Sequence, residues 1–332
     1  MDIHASTLTL DSHIDIRWPN PPDPLGEGPM RVDFPKMQRG GLRAAIFIAY
    51  VGQGKRDAAG HAAAAERVDA MLRHIRDRAD GTARRFCTTP EELEAAHAAG
   101  ALAVLSAVEN GYGMGHDLGA PARWRTLGAC YLTLTHDGHN DLSDSARPQA
   151  RLGDAAVEHG GLSALGRQAV AALNAAGMMI DVSHVAKSGM MQAADLSRSP
   201  IVATHTACRA LCDHPRGIDD EQLDMLKSVG GLAQITAMPG FLQKVPEGTR
   251  NHASVETMVD HVDHAVRRIG LEHVGLSSDF DGGGAVEGWQ NAAETANLTA
   301  ALIRRGYGAR EIGLLWSGNF LRIWRQAQAI AD

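Results

Sequence analysis

Leu8-Thr9-Leu10-Asp11-Ser12-His13-Ile14-Asp15 reads as a short buried strand that runs straight into His-x-Asp. In an extended chain, residues two apart point to the same side. His13 and Asp15 therefore present an imidazole and a carboxylate together at the strand's end, which is a half-site for a divalent cation. A His-x-Asp is also a common surface pair, so its meaning depends on whether other strands end in the same way.

They do. Ala44–Val51 and Ala101–Val108 read as the next two strands, and the latter ends at Glu109. Ala129–Thr135 leads into His136, Met178–Ser183 into His184, and Ile201–Thr204 into His205. Gly231–Thr236 is a seventh strand, and His273–Ser278 an eighth that ends at Asp279. Helical stretches separate them: Ala58–Ala79, Pro90–Ala99 capped by Thr89, Pro121–Leu127, Ser163–Ala176 stopped by Gly177, Asp219–Val229, and Ser254–Ile269 capped by Ser254. Helices from about Asn291 to Arg304 and from about Ala309 onward close the chain. Trp18 to Pro35 is too rich in proline for regular structure and reads as a lid or pocket wall.

Eight strands alternating with helices predict an α/β fold, a (β/α)8 TIM barrel, over residues 1–332 as a single domain. The alternative is an open doubly wound sheet, but no Gly-x-Gly-x-x-Gly follows the first strand to make a dinucleotide site. In a closed barrel the C-terminal strand ends meet at one mouth. His13, Asp15, Glu109, His136, His184, His205 and Asp279 would converge there. Three imidazoles and two carboxylates from that set already exceed the needs of one tetrahedral ion. Two ions sharing a bridging carboxylate would use all five.

Bulk properties narrow the choice further. Hydrophobic residues make up 44% and charged residues 21%, as in ordinary globular proteins. Net charge is -7 with no basic block, so nucleic acid is not an expected partner. No apolar run has the roughly 20 residues that cross a bilayer. Met1-Asp2-Ile3-His4 does not resemble a secretion signal, and Ala329-Ile330-Ala331-Asp332 does not resemble a lipid-anchor tail. Cys87, Cys130, Cys208 and Cys212 contain no Cys-x-x-Cys and read as free thiols of a reducing compartment, rather than as a zinc half-site at Cys208 and Cys212. The expectation is a cytoplasmic protein with no membrane contact.

The motifs His13-Ile14-Asp15, Ala107-Val108-Glu109-Asn110-Gly111, Tyr131–His136, Ile180–His184, Ala203-Thr204-His205-Thr206, His214-Pro215-Arg216, Ser278–Gly282 and Gly318–Arg322 together resemble the membrane (renal) dipeptidase family, peptidase family M19, of the amidohydrolase superfamily. The likeness runs from about residue 8 to 324 in the right order. It implies a binuclear zinc barrel that hydrolyses dipeptides. By resemblance, His13 and Asp15 hold one Zn2+ and His184 and His205 the other, with Glu109 and a hydroxide bridging them. His136 and Arg216 handle substrate, and Asp279 shuttles protons and contacts substrate. The chain lacks the cysteine arrangement of the lipid-anchored mammalian members, so it is expected to be a bacterial-type cytosolic relative. A homodimer is compatible with the family.

Look-alikes read as structure. His139-Asn140-Asp141 is turn-like and frames the pocket, and Asp281 anchors the glycine-rich loop Gly282-Gly283-Gly284. His261 and His264 flank the apolar stripe Val259, Val262, Val266 and Ile269 of a helix. Asp181 reads as support for a ligand, and Arg209 is a weaker alternative to Arg216 as a carboxylate clamp. Two rival functions remain: another metal-dependent amide or lactone hydrolase on this barrel, or a non-catalytic metal-binding sensor.

Overall fold

The computed structural model describes residues 2–332. Met1, part of the N-terminal stretch read for a leader, lies outside the described residues. Among the described residues there are nine strands: β1 (Leu10–Asp15), β2 (Ala44–Tyr50), β3 (Arg84–Phe86), β4 (Leu102–Glu109), β5 (Ala129–Thr133), β6 (Met179–Asp181), β7 (Val202–Thr206), β8 (Leu232–Thr236) and β9 (Val274–Ser277). Eight follow one another in the order β1-β2-β4-β5-β6-β7-β8-β9 with parallel pairing throughout, while β3 pairs only with β4.

The sheet curls until β1 meets the end of β9. The Asp15 N–H donates to the Phe280 carbonyl at 2.9 Å, and the Asp279 N–H donates to the His13 carbonyl at 3.1 Å. The Asp11 carboxylate takes the Ser278 N–H at 2.9 Å across the same seam. The result is the (β/α)8 barrel expected from the alternating pattern. Both faces of each barrel strand are covered, which is why these strands read as nearly continuous apolar runs.

One strand face fills the barrel interior: Leu10, Ile46, Leu105, Tyr131 and Leu232 are fully buried there. The other face packs outward on the helices, as Phe47, Val104 and Val108 do against Val68 and Met71 of the helix Ala58–Arg76. The C-terminal helix Asn319–Ala329 covers the N-terminal mouth. Phe320 and Trp324 join the interior cluster, and Arg322 donates to the Gly230 and Glu272 carbonyls ahead of β8 and β9. With that end stopped, the C-terminal mouth is left as the open one. Among the described residues, no helix is long and apolar enough to cross a membrane.

Three local features go beyond the sequence reading. The Pro-rich segment gives way to a helix at Phe34–Gly40, because Asp33 caps it and Pro35 sits in the first turn, where a missing N–H costs nothing. β3 escapes a reading by pattern because three half-buried residues, two of them arginine, carry no alternation. His261 lies on its helix beside the apolar stripe, as read, but is buried there. It is 1% exposed, accepts the Cys208 N–H at Nδ1 (3.0 Å) and donates from Nε2 to the Leu242 carbonyl (3.0 Å).

Candidate active site

Each strand end delivers one or two polar groups to the open mouth. β1 supplies His13 and Asp15, with the Cβ atoms two residues apart on one face. β4 ends at Glu109, β7 carries His205 next to its last residue, and the turns after β5, β6 and β9 supply His136, His184 and Asp279. His184 (φ 66°) and Asp279 (φ 60°) occupy the left-handed backbone region, and Asn110, just after Glu109, does so at φ 80°. Such backbones are costly for residues with a Cβ and concentrate where a side chain must be aimed.

Glu109 is central. One carboxylate oxygen, Oε2, lies 3.5 Å from His13 Nε2. The other, Oε1, lies 3.3 Å from His184 Nε2 and 3.5 Å from His205 Nε2. Asp15 and Asp279 close on the far side of His13, where ligand atoms of all three fall within 4.8 Å of one another. His136 lies against His184, with ring centroids 4.1 Å apart. Glu109, His13 and His205 are almost fully buried.

The outward ring nitrogens decide what faces inward. The Tyr131 hydroxyl donates to the Ser12 carbonyl (2.8 Å), so its oxygen accepts from His13 Nδ1 (3.0 Å). The Thr204 hydroxyl donates to Asp181 Oδ2 (2.7 Å), so it accepts from His205 Nδ1 (3.0 Å). Both protons therefore sit on Nδ1, and both Nε2 lone pairs point into the cluster. His184 Nδ1 faces Asp137 Oδ1 at 3.5 Å, and both atoms are buried without a hydrogen-bond partner. A set of inward lone pairs and carboxylate oxygens suits divalent cations.

The electrostatics are those of a buried cluster of opposed charges. Burial, opposed by the nearby Glu109 and Asp15 carboxylates, leaves His13 raised to about 10. Burial and Glu109 hold Asp15 well above the carboxylate range, with His13 opposing. Burial lifts Asp279 to about 7, again against His13. Burial and His184 lower His136 to about 3. Arg216 is lowered to about 10 by burial, which still leaves it a cation at neutral pH.

Two open pockets flank the cluster. One, about 820 Å3, is reached past His184 and contains Arg216. Arg216 donates from Nη2 to the His205 carbonyl (3.2 Å), lies over the Phe241 ring at 5.3 Å, and keeps a buried Nε without a partner. The other, about 920 Å3, is reached past Glu109 and His136 and is walled by Trp18, Met30 and Tyr50. The Pro-rich segment forms that wall and is tied down: Asp281 accepts the Arg31 N–H at 3.0 Å and the Val32 N–H at 3.4 Å. Arg209 is drawn away to Asp213 (2.8 Å). His139 is buried in its loop, accepting from the Ser145 N–H, and Asp141 pairs with His61 (3.0 Å).

A family description, membrane dipeptidase (peptidase family M19), matches residues 1–332. The chain belongs to the membrane dipeptidase family. This is a metallopeptidase family, and its members resemble the chain throughout the barrel. Dipeptidase tcpJ of Claviceps purpurea is 30% identical over 344 residues, covering 99% of this chain and 76% of that protein. Dipeptidase 3 of Rattus norvegicus is 32% identical over 75% of this chain, which spans about half (51%) of the rat protein. Among solved structures, the probable dipeptidase PvdM from Pseudomonas aeruginosa superposes with a TM-score of 0.93 at 29% identity, over 99% of this chain and 97% of that one. A metallo peptidase from Rhodobacter sphaeroides, liganded with a phosphinate mimic of the dipeptide L-Ala-D-Ala, gives 0.82 at 25% identity, over 97% and 100%.

Several residues of this membrane dipeptidase site carry no strong sequence signal. Tyr131 and Thr204 sit inside strands and read as core. Asp137 reads as part of a turn, although a carboxylate directly after a strand-end histidine is a usable cue. Gly282 reads as loop, yet a Cβ there would collide with the carboxylates of both Asp15 and Asp279.

Proposed function

We propose that this member of the membrane dipeptidase family is a zinc-dependent dipeptidase, with residues 1–332 forming one catalytic barrel. The observation that carries the reading is the orientation of Glu109, one oxygen toward His13 and the other toward His184 and His205. His13 and Asp15 would hold one Zn2+, His184 and His205 a second, and Glu109 would be shared. When bound, such a pair of cations acidifies a water and polarises an amide carbonyl.

The chain's own residues do the rest. Arg216, with Nε free, binds the substrate's terminal carboxylate through parallel N–H donors. That grip places the carboxylate one residue beyond the scissile bond and so selects dipeptides. His136 donates a hydrogen bond to the developing oxyanion, a contribution typically of about 3 kcal/mol. Asp279 takes the nucleophile's proton on its carboxylate and delivers it to the leaving amine. Trp18 and Met30 wall the second pocket.

A panel of dipeptides with L- and D-residues at the C-terminal position, assayed on zinc-loaded and chelated protein, tests the reading. The Rhodobacter sphaeroides relative's L-Ala-D-Ala mimic makes the D-series worth including. Turnover that disappears on chelation and returns with zinc is the expected result. Zinc binding without turnover of any dipeptide would favour a metal-binding sensor instead.

A further inference from the structure

The two pockets beside the cluster differ in what they leave unpaired. In the first, Lys187 is neutralised by Asp219 and Glu221, and Arg209 by Asp213, so Arg216 is the cation free to meet substrate. The second pocket contains Arg17 and Arg67. Among the described residues, neither guanidinium has a carboxylate in salt-bridge range. Arg67 makes one long bond, from Nη2 to the Trp18 carbonyl at 3.4 Å, and its Nε is buried with no partner. The pocket's own carboxylates are committed elsewhere. Asp15 and Glu109 belong to the donor cluster, and Asp281 holds the backbone of Arg31 and Val32.

A partly buried guanidinium with an orphaned N–H is costly unless an acceptor arrives. An isolated dipeptide backbone offers one carboxylate, and Arg216 takes it. With that end in the first pocket and the scissile bond over the donor cluster, the N-terminal residue extends into the second. We propose that Arg67, assisted by Arg17, forms a subsite for an acidic side chain on the N-terminal residue of the dipeptide. This rests on the dipeptidase reading above. The planar fork of Arg67 suits bidentate capture of a carboxylate. Trp18, Met30 and Tyr50 line the approach and pack on the side chain's methylene groups.

The test compares kcat/KM of the zinc-loaded wild type on Glu-Ala, Gln-Ala, Leu-Ala and Lys-Ala. The pair Glu-Ala and Gln-Ala differs only in the charge of an isosteric group. Glu-Ala is expected to exceed Gln-Ala at least tenfold, mainly through a lower KM, with Lys-Ala poorest. In Arg67→Gln the Glu-to-Gln ratio falls to about one, and in Arg67→Glu the preference turns toward Lys-Ala. Zinc content and thermal midpoint are measured on each variant. Equal rates for Glu-Ala and Gln-Ala in the wild type would overturn the subsite and leave the dipeptidase reading standing. A ratio that survives Arg67→Gln in folded, zinc-replete protein would also overturn it. Failure to cleave any dipeptide would remove the dipeptidase reading and the subsite together.

Discussion

His184 and His205 bring their Nε2 atoms to 2.9 Å of each other, with Glu109 Oε1 3.3 Å from the first and 3.5 Å from the second. Thr204 commits the His205 proton to Nδ1, so its Nε2 is a bare lone pair. If His184 places its proton on Nε2 to bridge the gap, its Nδ1 lone pair turns on Asp137 Oδ1 at 3.5 Å. If it keeps the proton on Nδ1, two lone pairs oppose each other. Either neutral tautomer leaves a repulsion that a cation between the rings removes.

The chain Asp181–Thr204–His205 is therefore predicted to set metal affinity. Thr204→Val keeps the shape and removes the hydroxyl that orients the ring. Loss of such a partner costs 10–100-fold in affinity. Competition with a chromophoric chelator should show that loss in one zinc equivalent, with the barrel's circular dichroism unchanged. An unchanged affinity would mean that Thr204 does not orient His205.

Gly282 is predicted to tolerate no side chain. A Cβ would push into the Asp15 and Asp279 carboxylates, which face each other across this glycine. Overpacking of this kind costs about 1–3 kcal/mol, and here the displaced groups are a proposed ligand and the proposed proton carrier. Gly282→Ala should lower kcat by more than tenfold and weaken zinc binding, as read by steady-state kinetics and metal analysis.

His261 should matter for stability alone. His261→Ala leaves the Cys208 N–H and the Leu242 carbonyl without partners in the core. Each unsatisfied group costs about 1–3 kcal/mol. Urea unfolding should show a fall of about that size or more, while zinc stoichiometry stays the same as in wild type.

Arg216→Ala separates the reading from its rival. Without the guanidinium, dipeptide kcat/KM should fall by at least a hundredfold. A neutral ester or lactone, which has no carboxylate to grip, should be affected little if the barrel turns it over. Equal losses on both substrate types would show that Arg216 does more than bind the carboxylate.

These residues show where the sequence is readable. The barrel was legible because parallel strands buried on both faces leave plain apolar runs, and because His13, Glu109, His184, His205 and Asp279 each follow such a run. The helix Lys187–Leu196 leaves little signal in the sequence, because no side chain caps it and Gly189 sits in its first turn. Helical periodicity gives the direction of the His261 side chain but not the loops around Cys208 and Leu242 that satisfy it. Tyr131 and Thr204 look like strand core until β5 faces β1 across the barrel and β7 lies beside β6. Their role depends on spatial neighbours more than 20 residues away in the chain, or directly on a neighbour's proton, and no local spacing records either.

The central claim is that Glu109 is shared by two cations. Crystals of zinc-loaded protein, measured at the zinc absorption edge, test it most directly. Two anomalous peaks per chain are predicted, one beside His13, Asp15 and Glu109 Oε2 and one beside His184, His205 and Glu109 Oε1, both absent or severely depleted in Glu109→Gln. A single peak away from Glu109, or two peaks undiminished in Glu109→Gln, would contradict it.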